Sequence, residues 1–422
     1  MSDKRVAQIV EIDVDQCMLE FGTSPCLAAL GGNVVRKCYN SFQTCQFKQY
    51  YNKGVNTLRF VESSYPVKSG NFIPALVKVG GYEQEVNIAG FSDKIGGLGV
   101  RASVSVTIRD FPSRDTLTDK YFAGRMDGTA QTDEAGYDPL SRGSFWTKFK
   151  ARNPNYAGRA LRVIQGHYDE TGALVADTTR HYVMDEFTGP DPSGNVMIKA
   201  KDILSLADDK KALAPRGSQG RLLADMTAVQ TSFTLSPVGI GASEYPASGL
   251  VTIGSEIMGF TRSGDVMTVT RGQKGTVAAS HTANDTVQVA FSVALQRADA
   301  VIYSLLVDYG NIPSGYITFA DWEAEFDRWG STMVLSATIC KPTGVSKLIA
   351  EINQLGITVW WDETAQKIRI KLNHPPDEMP VAWTDRNNIM SITTEDNDDE
   401  RATRVELWTV QIDPTKDLGK EN

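Results

Sequence analysis

A strict alternation of apolar and polar residues marks a strand at residues 98–109. A period of two places successive side chains on opposite faces of a strand. The pattern therefore predicts a half-buried antiparallel strand with one wet face. The glycines before it predict a tight turn. The apolar face comprises Val100, Ala102, Val104, Val106 and Ile108, and the turn Gly96, Gly97 and Gly99.

Regular alternation resumes only near residue 160. Residues 111–160 are rich in Gly, Asp, Arg and aromatic residues without a clear period, which predicts a long excursion from a sheet. Beyond them, two alternating stretches flank the charged residues Asp169–Gly172, which predicts a β-hairpin. Residues 222–291 contain two β-rich arms around Ser263, Gly264 and Asp265, followed by a glycine-rich bend. That stretch is interpreted as a separate small β-module.

From residue 292 the pattern becomes mixed. A 3.6-residue period predicts a first helix that ends at Gly310 and presents one apolar face, formed by Ala294, Ala298, Val301 and Leu305. Thr318 is predicted to cap a second helix over 319–329, with Asp321 in the place of the usual capping-box Glu or Gln. A third helix over 347–356 leads into a hairpin over 357–372.

Length and charge limit the class of protein. A chain of 422 residues is expected to form two to four domains. The formal net charge of −8 argues against a nucleic-acid binder, which needs a basic surface to displace counterions from phosphates. No run of 18 apolar residues occurs in the sequence, so no transmembrane helix is predicted. Residues 1–30 lack the apolar core of a secretory signal, which indicates synthesis in a reducing cytoplasm.

The cysteines are the strongest chemical signal. Four of the five lie within residues 17–45, with the spacing C-x8-C-x11-C-x6-C: Cys17, Cys26, Cys38 and Cys45. The segment has few large apolar residues, so it needs a cross-link to hold one conformation. Zinc or an iron–sulfur cluster, disulfides formed after release from the cell, and unligated thiols all remain open. Cys340, after a β-like run, is expected to be a buried unligated thiol.

The histidines do not form a catalytic set in the sequence. His167, His181, His281 and His374 are scattered through separate segments. A hydrolytic site needs a base, an orienting acid and a nucleophile or activated water. His281 is the strongest candidate because Glu256 and Asp285 belong to the same module. No nucleophile accompanies them, so His281, like His167 and His181, is interpreted as structural and no catalysis is expected.

Several segments together resemble the tail-tip hub proteins of long-tailed, non-contractile bacteriophages. The resemblance covers roughly three-quarters of the chain in family order, and none of its segments is a catalytic signature. They are EIDVDQC, FGTSPC, CYNSFQTCQ, NTLRFVES, LGVRASVSVTIRDFP, AKDILSLADDKKALAP, IGSEIMGFTRSGDVMTVTRGQKGT and ATICKPTGVSKLIAEINQLGITVWWDETAQKIRI.

The resemblance implies a mainly β protein with an α+β C-terminal part. The domains expected are a cysteine cluster segment (1–60), a β-barrel hub domain (61–221) with the excursion 111–160, a small inserted β-module (222–291) and an α+β hub domain (292–422). It also implies that Cys17, Cys26, Cys38 and Cys45 hold an iron–sulfur cluster, most simply [4Fe–4S], with zinc as second choice. In the lambda-like tip protein the cysteines lie near the C-terminus, whereas here they are near the start.

The function implied is structural. A homotrimer at the distal end of the virion tail would close the tail tube and link it to a tip. Its expected partners are the distal tail protein ring, the tape measure protein and a central tip or fibre protein. Assembly is expected in the host cytoplasm. After the β-like stretch 403–413 a further domain is expected, either missing from this sequence or supplied by a separate chain. The alternatives are a tail-associated cell-wall hydrolase, a redox protein or a carbohydrate-binding adhesin.

Overall fold

Seven strands close into a barrel around one apolar core. The computed structural model describes residues 6–28, 38–64, 71–81, 84–88, 98–127, 138–169, 174–208, 210–375, 384 and 391. The barrel strands are β1 (Val6–Cys17), β2 (Lys53–Glu62), β3 (Phe72–Gly80), β4 (Ser103–Arg109), β5 (Ala160–Tyr168), β6 (Leu174–Thr188) and β7 (Asn195–Lys201). They pair in the order β1-β2-β3-β4-β7-β6-β5, and β5 returns to β1. Only β2 and β3 are parallel among these pairs.

Strand β4 confirms the strongest alternation in the sequence. Val104, Val106 and Ile108 are buried, and the residues between them are partly or fully exposed. The strand starts at Ser103, while Val100 is exposed. Gly99 has a φ of +74°, a backbone conformation that glycine adopts at little cost. The other two glycines of the predicted turn lie outside the described residues. The hairpin of β5 and β6 is confirmed, with turn residues 170–173 also outside them.

The barrel starts at Val6, whereas the sequence placed its first residue at 61. Strand β1 and most of β2 therefore lie within residues 1–60, the segment that the sequence analysis assigned to the cysteine cluster alone. The signal for β1 was an alternation of Val10, Ile12 and Val14 with acidic residues. Those acids pair with arginines on β2 and β5, which lets a charged strand join the sheet. Acidic residues are poor strand formers, and this pairing was not visible in one sequence.

The excursion between β4 and β5 contains helices α1 (Phe122–Asp127) and α2 (Phe145–Arg152). Phe145, Trp146 and Phe149 of α2 pack into the barrel core, and the Trp146 ring stacks on Phe60 of β2 at 5.4 Å. The Asp110 carboxylate accepts the Trp146 amide at 3.0 Å and so satisfies one unpaired donor of the first helical turn. The loop excursion expected from the sequence therefore supplies part of the core.

A six-stranded sheet with its own core lies in the stretch that the sequence interprets as a β-module, and this stretch is called the β-module below. Its order is β14-β11-β12-β13-β10-β9. The turn between β12 and β13 falls at Gly264, as the sequence predicts. The elements are β8 (Leu213–Ala214), which lies outside this sheet, β9 (Arg221–Leu222), β10 (Ser232–Ser236), α3 (Ile240–Glu244), β11 (Ser248–Ile253), β12 (Glu256–Ser263), β13 (Val266–Thr270) and β14 (Gln288–Val289).

The remaining elements are mixed, which confirms the fold class: mainly β, with an α+β C-terminal part. They are β15 (Phe291–Arg297), α4 (Ala298–Ser304) continued by a π-helical turn (Leu305–Tyr309), α5 (Phe319–Trp329), β16 (Val334–Ile339), β17 (Thr343–Gly344), α6 (Val345–Asn353), β18 (Ile357–Asp362) and β19 (Lys367–Leu372). Strand β15 pairs with β16, β17 with β8, and β18 with β19.

Two local predictions in this part are wrong. The first helix begins at Ala298, and Ala294 lies in β15, because pairing with β16 overrides the helical period there. Thr318 precedes α5 but its side chain makes no capping hydrogen bond. Its ψ of 88° departs from the extended conformation that an N-cap residue usually adopts.

Contacts divide the chain into two compact units. One comprises residues 1–86, 99–205 and 360–369, and the other residues 87–98, 206–359 and 370–422. The β-like stretch 403–413 lies outside the described residues. In the part of the chain that the structure describes, no helix has the length and apolar character needed to cross a bilayer.

Candidate functional site

The four clustered cysteines lie at the β1–β2 end of the barrel. Cys17 is the last residue of β1 and pairs with Lys53, the first residue of β2. Cys26, Cys38 and Cys45 lie on the connection 18–52, of which residues 29–37 are outside the described part. All four thiols are partly buried, and none forms a disulfide.

Backbone amides face two of the thiols. Burial raises the pKa of the Cys38 thiol, and a hydrogen bond from the Asn40 amide opposes that rise. Burial also raises the pKa of the Cys45 thiol, against a hydrogen bond from the Phe47 amide. In each case the donor lies two residues after the cysteine. An N–H donor to sulfur favours the thiolate, which is the form that binds metals.

The thiols also influence one another electrostatically. Cys45 and Cys17 add to the upward pKa shift of Cys38, and Cys17 and Cys26 add to that of Cys45. Mutual repulsion of this kind is what a shared cation would relieve. Among the described residues, however, no three His, Cys, Asp or Glu side chains converge to hold a metal ion. Sulfur is the donor that a soft metal centre prefers, and both the metal and its ligand set stay a prediction.

A buried ion pair in the excursion holds the connection near Cys38. The Arg125 guanidinium contacts the Asp119 carboxylate at 2.6 Å, and both side chains are fully buried. Arg125 also donates to the Cys38 carbonyl, and the Asn40 side-chain amide donates to Asp119 at 3.1 Å. Breaking such a pair leaves an uncompensated buried charge, so these residues fix the backbone on both sides of Tyr39.

Tyr39 lies against two guanidinium groups. Its ring centroid is 4.5 Å from Arg125 and 3.9 Å from Arg152, distances at which cation–π attraction operates. Arg152 in turn binds the Asp115 carboxylate at 2.9 Å, and Lys148 binds the same carboxylate at 2.6 Å. This buried charge cluster therefore joins helix α2 to the cysteine-bearing connection.

The excursion also contacts the connection near Cys17. Lys120 donates to the carbonyls of Cys17 and Leu19 at 3.0 and 2.6 Å. The Tyr121 hydroxyl accepts the Phe21 amide at 2.6 Å. Sequence analysis missed these residues because their charges follow no period. The one available signal was the density of Asp and Arg in a segment that was expected to be a loop.

A cavity of about 300 Å³ lies beside the connection. Its walls include the aromatic residues Phe42, Tyr51, Phe149 and Tyr156, with charged residues between them. Nearby, Asp15 pairs with Arg159 and, at 3.4 Å, with Lys53.

Glu256 and His281 come together in the β-module, as the sequence suggested. The His281 Nε2 atom lies 2.8 Å from the Glu256 carboxylate, and both side chains are buried. The same carboxylate accepts two hydrogen bonds from Arg271 and one each from the Gly272 and Ala279 amides. A carboxylate with all its acceptor positions filled cannot take a further proton easily, so this network acts as a cross-link between loops.

Asp285 instead accepts hydrogen bonds from the Thr282 amide and hydroxyl. His167 lies 3.1 Å from the Asp177 carboxylate, a contact that the sequence did not suggest. A bulge in the β5–β6 pair brings this carboxylate within reach. His374 stacks on Trp329 at 4.2 Å. Cys340 is buried, as expected.

Comparison with known proteins gives weak structural similarity alone. No protein-family model matches the chain. No curated protein matches it. Among solved structures, a chain of the "Virion of native gene transfer agent (GTA) particle" is 9% identical, with 68% of this chain and 80% of that chain covered and a TM-score of 0.21. An overlap this slight carries no inference about fold or function.

Proposed function

We propose that this chain is a structural hub of a bacteriophage tail tip, with a cysteine-bound metal centre as a structural staple. The sequence segments that resemble tail-tip hub proteins support this role. The observation that carries the proposal is the closed barrel with Cys17 at the end of β1 and three further cysteines on the β1–β2 connection. A rigid barrel with a cross-linked connection at one end suits a scaffold that transmits force between rings.

The connection needs a staple because it buries little apolar surface. Among the described residues from Met18 to Asn52, Ala28 is the one buried apolar residue, and Asn40 and Ser41 are the buried polar ones. Buried apolar area supplies most of the favourable energy of folding. A structural metal supplies roughly 10 kcal/mol of folding free energy in small metal domains, which is ample for a connection of this length.

Cys17, Cys26, Cys38 and Cys45 would hold the metal through four thiolates. Four sulfur ligands favour an iron–sulfur cluster, most simply [4Fe–4S], and zinc as the second choice. The amides of Asn40 and Phe47 would stabilise the thiolate charges of Cys38 and Cys45. Iron and acid-labile sulfide analysis with a visible spectrum of anaerobically purified protein distinguishes the two metals. Protein with neither metal would contradict the staple.

The hub would assemble as a homotrimer at the distal end of the tail. Its partners would be the distal tail protein ring, the tape measure protein and a central tip or fibre protein. Head-to-tail contacts between identical chains close into a ring when the rotation fits. Quantitative mass spectrometry of purified particles, with a sixfold tail ring protein as the internal standard, should give three copies. Six copies, or labelling away from the tail end, would contradict the proposal.

A further inference from the structure

The cavity of about 300 Å³ beside the β1–β2 connection has the walls of a ligand pocket. Ligand pockets of proteins begin at roughly this volume and are walled mostly by apolar and aromatic side chains. The rings here are Phe42, Tyr51, Phe149 and Tyr156, together with the thioether of Met184. All residues that line the cavity belong to the compact unit that contains the barrel. A single unit therefore forms it.

Contacts among the rings hold these walls in place. Phe42 packs edge-on against Tyr51 at 5.3 Å. Phe149 and Tyr156 both contact the buried Phe187 ring, at 6.3 and 5.5 Å. Edge-on and offset arrangements of this kind are the favourable ones for aromatic pairs. A flat apolar ligand could therefore be buried here without rearrangement of the walls, and it would cover Phe42, which is 41% exposed.

Positive charge is in excess along the strands beside the cavity. Three carboxylates of β1 are bound there by four cations: Glu11, Asp13 and Asp15 by Arg59, Arg162, Arg159 and Lys53. Glu11 and Asp13 are matched by two arginines, which leaves Asp15 shared between Arg159 and Lys53. Among these paired groups the surplus is one positive charge, since four cations face three carboxylates.

The two cations that share Asp15 both line the cavity. Each contacts the same carboxylate oxygen, Oδ1. The Lys53 side chain is 60% exposed and that of Arg159 is 27% exposed, so further donors of both are within reach of a ligand. A guanidinium carries five N–H donors and can hold a carboxylate through two parallel hydrogen bonds. A ligand carboxylate would thus balance the surplus charge.

We propose that this cavity binds a small aromatic carboxylate, with its ring against the four aromatic side chains and its carboxylate on Arg159 and Lys53. A neutral ring compound would gain the same apolar burial without the ion pair. A cationic one would meet the surplus positive charge and be repelled. The inference involves no metal and no neighbouring protein, so it stands or falls separately from the proposed function.

Isothermal titration calorimetry of the full-length chain tests this site with three compounds that share one carbon skeleton: cinnamate, cinnamamide and cinnamylammonium. The two cations are replaced singly, as Lys53→Gln and Arg159→Gln. The matched controls are Lys78→Gln on β3 and Arg109→Gln on β4. Both control positions are exposed on barrel strands and do not line the cavity.

The natural chain should bind cinnamate saturably and cinnamamide at least about 10-fold more weakly, because hydrogen bonds to charged groups are the stronger ones. Lys53→Gln and Arg159→Gln should each weaken cinnamate binding about 10-fold and leave cinnamamide binding unchanged. Both controls should match the natural chain. A loss confined to the anion cannot come from a damaged cavity, since the neutral compound uses the same walls.

Absence of saturable cinnamate binding, or equal affinity for the three compounds, would overturn the inference. Unchanged cinnamate affinity in both Lys53→Gln and Arg159→Gln would also overturn it, because the anion would then bind elsewhere. Exposed ion pairs contribute little to stability, so Lys53→Gln should keep the barrel folded. That variant decides the question even if Arg159→Gln unfolds.

Discussion

At the residue scale, Glu256 is the electrostatic centre of the β-module. Burial by itself would raise the pKa of this carboxyl, but hydrogen bonds from Arg271, the Ala279 amide, His281 and the Gly272 amide lower it to about 2. A lowered pKa in the folded state stabilises the protein above the unfolded pKa, and this contribution is lost as pH falls through the folded value. We therefore expect the module to lose roughly 3 kcal/mol of stability between pH 4.5 and 2.

Urea unfolding of the chain at a series of pH values checks this expectation. The quantity measured is the free energy of the unfolding transition that includes the β-module. In Glu256→Gln the pH slope should disappear, and the stability at pH 7 should fall by about 3 kcal/mol because Arg271 keeps a buried charge. Glu244 accepts one backbone amide at an exposed position, so Glu244→Gln is the matched control. An unchanged pH slope in Glu256→Gln would mean that another group causes the acid sensitivity.

Arg125 has the same importance for the cysteine connection. Arg125→Met leaves Asp119 buried without its cation, and we expect a loss of about 3 to 5 kcal/mol. The loss should be accompanied by faster hydrogen exchange over residues 38–45, since Arg125 also holds the Cys38 carbonyl. Arg114, exposed in the same excursion, gives the control Arg114→Met. Equal exchange rates over residues 38–45 in Arg125→Met and Arg114→Met would show that the Arg125–Asp119 ion pair does not order the connection.

At the scale of elements, helix α2 is part of the barrel core. Trp146 is fully buried and contacts Phe60, Phe149 and Phe187. Trp146→Ala should therefore destabilise the barrel unit by about 3 to 5 kcal/mol through lost burial and a cavity. Thr147→Ala, at the exposed next position, should cost less than about 1 kcal/mol. Thermal unfolding of the two variants measures the difference, and equal midpoints would show that α2 does not support the core.

The β1–β2 connection should depend on its thiols. Replacing any one of Cys17, Cys26, Cys38 or Cys45 by Ser removes a ligand of the proposed centre, and we expect faster hydrogen exchange across residues 17–52. The buried Cys340 lies in the other unit, so Cys340→Ser should leave exchange in that range unchanged. Identical exchange in the four variants and the natural chain would show that the connection is held by the excursion alone.

Elements with a strong period were predictable from the sequence. The alternation over 98–109 predicted a strand, and the stretch 319–329 a helix, close to the observed β4 and α5. The first part of the barrel was not predictable, because the acids of β1 are tolerated only through arginines far along the chain. Candidate thiols could be identified from their spacing. The buried residues Asp119 and Arg125 could not, since their importance arises from contacts of long sequence separation.

At the scale of the whole molecule, the proposed role depends on position and symmetry within a particle. Two units with separate cores, one of them a closed barrel, suit a protein that is held in place by neighbours. The formal net charge of −8 argues against direct binding of DNA, which a basic surface favours. A contribution to DNA release would then operate through contacts with other tail proteins.

A cryo-electron microscopy map of the intact particle would show both the position and the copy number of this chain. We expect three copies of this barrel in a ring at the distal end of the tail, each with a strong density peak joining Cys17, Cys26, Cys38 and Cys45. A sixfold ring, a position elsewhere in the particle, or four cysteines without a shared peak would contradict it.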